Sequence, residues 1–118
     1  MRKLTEPGKA RIENARDIIT GIVDAICDYH EFSYNKIYIK NQKTRLGSCS
    51  SKKNLNFNWQ IIKFPQNVIR YIIAHEVAHL KHLNHSKLFW KEVEILDPDY
   101  KLHHKWVKEK GIKMLDLK

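Results

Sequence analysis

Two runs of alternating apolar and polar residues lie in the middle of the chain, between stretches with helical periodicity. Ile37 and Ile39 alternate with Lys36, Tyr38 and Lys40, and a second alternating run extends from Leu55 to Trp59. Such alternation predicts strands with one buried face. A third strand is expected over residues 44–50, followed by a polar turn at 51–54. We therefore expect a small sheet of about three antiparallel strands.

Helical periodicity on both sides of this sheet predicts an α+β fold. A first amphipathic helix is expected from about Pro7 to His30, and in it Gly21 could mark close packing against another element. After the sheet, we expect helices at residues 65–83, 86–96 and 97–111, with Asn84 as a left-handed stop. The last helix is expected to turn Leu102, Trp106 and Val107 inward.

Length and composition restrict the class of protein. A chain of 118 residues with 42% hydrophobic and 30% charged residues predicts one soluble globular domain, spanning residues 1–118. No apolar run is long enough for a membrane helix, and no cleaved signal peptide is expected. The two cysteines, Cys27 and Cys49, predict reduced thiols and a cytoplasmic location.

The net charge of +9 is concentrated in one segment. No acidic residue occurs between Glu31 and Glu76, and that stretch carries eight of the basic residues: Lys36, Lys40, Lys43, Arg45, Lys52, Lys53, Lys63 and Arg70. Such a segment could attract nucleic acid. The ordinary interpretation, which we favour from the sequence, is that these cations solvate the outer face and edge of the sheet.

The second predicted helix carries the motif HExxH, as His75-Glu76-Val77-Ala78-His79. Histidines four positions apart lie on one face of a helix, so both imidazoles can reach one metal ion. Glu76 is then placed to accept a proton from the attacking water rather than to bind the metal.

A zinc site of this kind needs a third protein ligand and one open position. On a continuous helix His82 would lie about 10 Å beyond His75, which is too far for a shared ion. His85 follows the Asn84 stop and is our first choice. Glu92 is the second choice, and His103 and His104 are further candidates.

Several linked motifs resemble the YgjP-like zinc metallopeptidase domains, which are related to the minigluzincins and more distantly to the SprT-like and WLM domains. The resemblance rests on these segments of residues 36–107: Gln42 to Ser51 and Leu55 to Trp59, which look like the blocks QKTRWGSCSS and NLNFNW; the HExxH segment; Asn84-His85-Ser86; Phe89-Trp90; and Asp97 to Tyr100 with Trp106. One departure is Leu46, where the family usually has tryptophan.

This resemblance implies a small zincin-type metallopeptidase domain, in which the sheet packs on the HExxH helix. It also implies that His75, His79 and His85 bind one Zn²⁺ per chain and that Glu76 is the catalytic base. The expected activity is hydrolysis of peptide bonds by a zinc-dependent endopeptidase, with peptides or proteins as substrates.

The strand that begins near Arg45 is expected to form the rim of the cleft and to pair with an extended substrate. Its candidate substrate-binding residues are Arg45, Leu46, Gly47, Ser48 and Cys49. We interpret Cys49 as a small strand residue rather than a nucleophile. An oxyanion stabiliser is also required, and the sequence does not choose among these nominees: Tyr71, Tyr100, His103, His104 and Arg45.

The alternative function is a basic nucleic-acid-binding module with a structural or vestigial zinc, or a peptidase that acts on nucleic-acid-bound proteins. It is favoured by the aromatic residues interleaved with the lysines of the acid-free segment. The expected assembly is a monomer or a homodimer. The apolar tail at residues 112–118 could occupy the cleft as an autoinhibitor or dock on a second copy.

Overall fold

A computed structural model describes residues 6–41 and 45–114. The helices and strands follow one another in this order: α1 Glu6–His30, β1 Lys36–Lys40, β2 Gly47–Cys49, β3 Asn54–Asn58, a 3₁₀ segment Trp59–Lys63, α2 Gln66–Ala78, α3 Lys87–Leu96, α4 Tyr100–Trp106, a π-helical segment Val107–Gly111, and α5 Ile112–Met114. The α+β class is confirmed. No described helix has both the length and the apolar character required to cross a membrane.

The sheet is mixed, so the expectation of a wholly antiparallel sheet is wrong. Its strand order is β1-β3-β2, with β2 antiparallel to the central β3 and β1 parallel to it. The polar turn between β2 and β3 makes them a hairpin, whereas β1 comes from α1 and enters the sheet in the direction of β3. Alternation within a strand sets which face is buried, but it carries no information about strand direction.

Helix α1 buries one narrow stripe of its surface. Ala15, Ile19 and Val23 are fully buried, whereas Tyr29 is 83% exposed. The helix ends where Glu31 adopts a left-handed conformation (φ 60°) and the N–H of Phe32 donates to the carbonyl of Cys27 at 2.9 Å. This arrangement satisfies a carbonyl of the last turn and leads the chain into β1.

Helix α2 runs through the centre of the molecule and packs against α1, α3, α4 and β2. It starts directly after Pro65, as predicted, but it ends at Ala78 rather than near Leu83. Beyond it the N–H groups of His79 and Leu80 donate to carbonyls three residues back, which tightens the chain into turns. Asn84 is not left-handed, since the only described non-glycine residues with positive φ are Glu31 and Lys53.

The last helical region begins three residues later than predicted and continues past the predicted end at Gly111. Asp97, where the last helix was predicted to begin, is instead the C-cap of α3, and its carboxylate accepts from the N–H of Asp99 at 3.1 Å. From α4 the chain stays helical through Gly111 to Met114. Leu102, expected inside, is 67% exposed, and His103 takes the buried position instead. The predicted tail beyond Met114 lies outside the described residues.

Candidate metal centre

Three histidines converge at the end of α2. The ring nitrogens that His75, His79 and His85 can offer all lie within 4.8 Å of one another. Around one tetrahedral zinc with Zn–N bonds of about 2.1 Å, ligand nitrogens lie roughly 3.4 Å apart. A small closing movement of the side chains would bring this set onto one ion, so the donor set fits zinc.

The orientation of His79 is set by a carbonyl beyond the end of α2. His79 Nδ1 lies 2.9 Å from the backbone oxygen of His82. A carbonyl can only accept, so Nδ1 carries the proton and donates, and Nε2 keeps its lone pair for a metal. His82 therefore contributes its backbone, and its ring is not part of the three-histidine set.

His85 is held in place by the start of α3. The next residue, Ser86, is the N-cap of α3 and accepts from the N–H of Phe89 at 3.3 Å. Burial lowers the pKa of the His85 imidazole, and the charges of His79 and His75 lower it further. A lowered pKa favours the neutral imidazole, which is the form that binds metal.

The ring of Phe89 packs against the rings of all three histidines. The sequence motifs did not predict this contact. The fully buried Phe89 ring stacks on His79 at a centroid distance of 4.3 Å. It also meets the edges of the rings of His75 and His85, at 5.1 and 4.9 Å. A buried aromatic residue of α3 at helical spacing from Val93 has the pattern of an ordinary core residue, so only the tertiary structure shows this contact.

Glu76 lies between the histidines and β2. Its side chain is almost completely buried, and Oε2 lies 3.1 Å from Nδ1 of His75. A Cβ atom added at Gly47 would be 3.1 Å from Cγ of Glu76 and 3.0 Å from the carbonyl oxygen of Asn56. The absence of a side chain at Gly47 therefore lets β2 pass directly over this carboxylate.

An open cleft of about 490 Å³ connects these groups. Besides the three histidines and Glu76, it is lined by Arg45, Leu46, Gly47, Ser48, Cys49, Tyr71, Ile72, Leu83, His104, Val107 and Ile112. All five predicted substrate-binding residues are thus on its wall. Burial, together with the charge of Glu76, raises the pKa of the Cys49 thiol to about 11, so this cysteine is a thiol and not a nucleophilic thiolate near neutral pH.

The sequence of residues 8–110 matches the family model of the YgjP-like metallopeptidase domain. This match covers most of the chain. The chain belongs to the YgjP-like metallopeptidase domain family. No curated protein matches its sequence significantly.

Two solved structures resemble the fold of this YgjP-like chain. The metallopeptidase zymogen of Pyrococcus abyssi abylysin is 21% identical, with a TM-score of 0.68 over 79% of this chain and 95% of that one. The metallopeptidase zymogen of Methanocaldococcus jannaschii jannalysin is 27% identical, with a TM-score of 0.62 over 82% of this chain and 96% of that one. The three-stranded sheet and its helices are therefore a metallopeptidase fold.

The nominated oxyanion stabilisers of this YgjP-like domain lie in different places. His104, Tyr71 and Arg45 line the cleft. Tyr100 stacks on Trp90 at 5.7 Å and is not among the lining residues. His103 faces a different corner, where Nδ1 lies 2.6 Å from the Asp97 carboxylate and Nε2 lies 3.2 Å from the amide nitrogen of Asn67.

Tyr71 and His104 form a hydrogen-bonded pair across the cleft wall. The Tyr71 hydroxyl lies 2.7 Å from Nδ1 of His104. Burial, followed by the charge of Glu76, raises the pKa of Tyr71, so its hydroxyl stays protonated and donates. Burial also lowers the pKa of His104, aided by Lys108, so the imidazole is neutral near pH 7 with its remaining proton on Nε2.

The second-choice metal ligand, Glu92, is engaged elsewhere. Its carboxylate pairs with Nζ of Lys81 at 3.3 Å. It does not belong to the three-histidine set.

Proposed function

We propose that this chain is a zinc-dependent endopeptidase that carries one Zn²⁺ on His75, His79 and His85. The observation that carries the proposal is the convergence of three imidazoles beside a nearly buried carboxylate in an open cleft. Three protein ligands leave one coordination position for substrate, as catalytic zinc sites require. The family match supports the peptidase activity.

Glu76 would act as the general base. When bound, zinc supplies Lewis acidity, which lowers the pKa of water and polarises the scissile carbonyl. Glu76 would take the proton from the attacking water and hand it to the leaving amine. Its position beneath β2 supports this role, because a substrate lying along β2 would pass directly over the carboxylate.

The substrate would bind as an added strand. β2 is an edge strand of the sheet, and the residues from Arg45 to Cys49 line the cleft. An extended peptide can pair with the free backbone groups of such an edge, while side-chain pockets give specificity. Leu46, where the family usually has tryptophan, would then contact the substrate with a smaller apolar side chain.

His104 is our choice for the oxyanion stabiliser, and Tyr71 would position it. The hydroxyl of Tyr71 donates to Nδ1, which leaves the N–H of Nε2 to donate to the developing oxyanion. Tyr100 and His103 remain nominees of the sequence but have other contacts in the structure.

The alternative function, a nucleic-acid-binding module with a structural or vestigial zinc, receives less support at this site. Structural zinc sites are closed by four ligands, whereas the described residues bring three histidines to an open cleft. Such a module would also have no use for a buried glutamate beside the metal ligands.

Metal content and cleavage test the proposal together. The protein, purified without a histidine tag and reconstituted with zinc, should contain about one zinc per chain by elemental mass spectrometry. A peptide library followed by mass spectrometry should show internal cleavage, and Glu76→Ala should keep the metal but lower the rate by about 10²-fold or more. Glu92→Ala is the control and should change neither. No zinc in the reconstituted protein would refute the site.

Both cysteines are free, which favours a reducing compartment such as the cytoplasm. We expect a monomer or homodimer, and we propose that the tail at residues 112–118 occupies the cleft as an autoinhibitor or docks on a second copy, since Ile112 lines the cleft. Truncation after Lys110 should then raise peptidase activity or change the oligomeric state, and no change in either would exclude this role.

A further inference from the structure

The outer face of the sheet points away from the hydrophobic core. The inner face is formed by Ile37 and Ile39 of β1 and by the buried Leu55 and Phe57 of β3. The strand register then places Lys36, Tyr38 and Lys40 of β1 on the opposite face. Across the strands, Tyr38 pairs with Asn56, which pairs with Ser48 of β2.

Exposed cations occupy both ends of this outer face. At one end Lys36 follows Asn35, whose N–H donates to the carbonyl of Lys53 at 2.8 Å. Lys52 and Lys53, in the turn between β2 and β3, therefore lie beside Lys36. At the other end is Lys40, which pairs with Asn58 of β3. The amide of Asn58 donates to the carbonyl of Arg45 at 3.1 Å, so Arg45, which also lines the metal cleft, lies nearby. Lys36 and Lys40 are separated by about 13 Å along the strand, at 3.3 Å per residue.

An exposed aromatic ring lies between these cations. Tyr38 is 40% exposed, and Nζ of Lys40 lies 5.7 Å from its ring centroid. Asn56 and Ser48 extend from the ring across the sheet with polar side chains. The sequence from Phe32 to His75 contributes no carboxylate. Asp17 of α1 lies in the groove between α1 and β1, which Arg16, Lys36 and Tyr38 also line.

We propose that this outer face binds single-stranded nucleic acid. Phosphates would pair with the cations at the two ends, one base would stack on Tyr38, and Asn56 and Ser48 would hydrogen-bond to the strand. A stacking ring among cations on an open sheet is how proteins bind single strands without sequence preference. Lysines that only blocked the sheet edge would show no dependence on Tyr38 and no preference for unpaired bases.

The proposed surface meets the metal cleft at β2, because Ser48 also lines that cleft. Its other members, Lys36, Tyr38 and Lys40 of β1 and Asn56 of β3, are not among the residues that line the cleft. The proposed contacts use neither the three histidines nor Glu76, so nucleic-acid binding does not require peptidase activity. The variant Glu76→Ala should bind nucleic acid as the wild type does, so failure of one proposal is distinguishable from failure of the other.

Fluorescence anisotropy with a fluorescein-labelled oligo(dT) of about 20 nucleotides tests the inference. The wild type should bind at low salt, with an affinity that falls steeply as NaCl rises. The double variant Lys36→Glu/Lys40→Glu should bind at least about tenfold more weakly, with a salt slope smaller by about 2. Tyr38→Ala should lose about fivefold or more with an unchanged salt slope.

The matched control is Lys87→Glu/Lys91→Glu. These two exposed lysines lie on α3, which packs on α2. Their replacement by glutamate changes the net charge by the same amount as the double variant at Lys36 and Lys40. The control variant should weaken binding far less than that double variant. Equal weakening by both pairs, no binding at 50 mM NaCl, or tighter binding of the corresponding duplex would each overturn the proposal. Circular dichroism of every variant verifies the fold.

Discussion

At Gly47 the chain passes between the Glu76 side chain and the backbone of β3. An added methyl group would lie 3.0 Å from the carbonyl oxygen of Asn56 and 3.1 Å from Glu76. The backbone atom cannot move without separating β2 from β3. The position therefore links the stability of the sheet to the placement of the Glu76 carboxylate.

We predict that Gly47→Ala destabilises the protein by about 1–3 kcal/mol, the usual cost of overpacking. Peptidase activity should fall more than zinc content, because the three histidines are not displaced by the change. Urea denaturation, elemental analysis and peptide cleavage measure these effects. Wild-type stability in the variant would show that β2 moves freely.

Gly21 has free space around it, in contrast to the crowded Gly47, so the same substitution by alanine can be compared at the two positions. It is exposed in the middle of α1, and a Cβ atom there would meet nothing within 4 Å, so the close packing expected from the sequence is absent. Gly21→Ala should stabilise the protein by about 0.5–1 kcal/mol, because alanine loses less backbone entropy in a helix. A decrease in the urea midpoint would contradict this expectation.

The sequence could predict which histidines meet, but not what holds them. His75 and His79 follow from helical spacing alone, and His85 was the first choice for the third ligand because it follows the predicted stop at Asn84, a choice that the resemblance supports. The carbonyl of His82 and the ring of Phe89 could not be predicted, because both contacts depend on how the chain turns after Ala78 and how α3 packs back. The ring of His82 was expected not to share a metal ion with His75, and it lies outside the three-histidine set. The reason given for that expectation assumed a helix that continues through His82, whereas α2 ends at Ala78.

At the scale of elements, Asp97 joins α3 to α4. One carboxylate oxygen accepts from the N–H of Asp99, and the other lies 2.6 Å from Nδ1 of the buried His103. Asp97→Ala should cost about 2 kcal/mol, since it leaves a buried imidazole without its partner. Asp99→Ala is the control, because that exposed side chain makes no cap hydrogen bond, and it should stay within about 0.5 kcal/mol. Equal losses in urea denaturation would contradict the prediction.

The hydrogen bond between Tyr71 and His104 joins α2 to α4, and the burial of His104 there should make stability depend on pH. The folded pKa of His104 lies below its ordinary value of 6.5, so the unfolded chain binds the proton more tightly. Its contribution is present above pH 6.5 and is lost as the pH falls through the lower, folded pKa.

We predict that His104→Gln reduces the loss of stability of the metal-free protein between pH 7 and pH 5. Urea denaturation with a chelator present measures this difference. A pH dependence identical to that of the wild type would show that His104 is equally basic in both states.

Elements were predicted better than their ends and directions. Alternation identified β1 and β3 because one face of each strand is buried. A buried face produces a pattern that is visible within a few consecutive residues. The parallel pairing of β1 depends on the path of the chain from α1, which no local pattern encodes. Gly111 looked like a stop, yet the helix continues through it, and its position packs against Phe64 and Trp106.

For the whole molecule, metal binding and folding should be coupled. The three histidines come from α2, the turn after it and the loop before α3, so they are together only in the folded chain. At free zinc 100-fold above its dissociation constant, the folded state should gain about 2.7 kcal/mol. Thermal denaturation in zinc and in EDTA should differ for the wild type and for Glu92→Ala. For His85→Ala the difference should largely disappear, and a full zinc effect in that variant would exclude His85 as a ligand.

The early end of α2 has a consequence for the charge of whatever enters the site. His75 lies in the last turn of this helix and His79 is its C-cap. Peptide dipoles add along a helix and leave its carboxyl end partly negative, an effect of about 0.3–1 kcal/mol on a nearby charge. The backbone itself therefore attracts a positive ion and repels a negative one before any ligand bond is made.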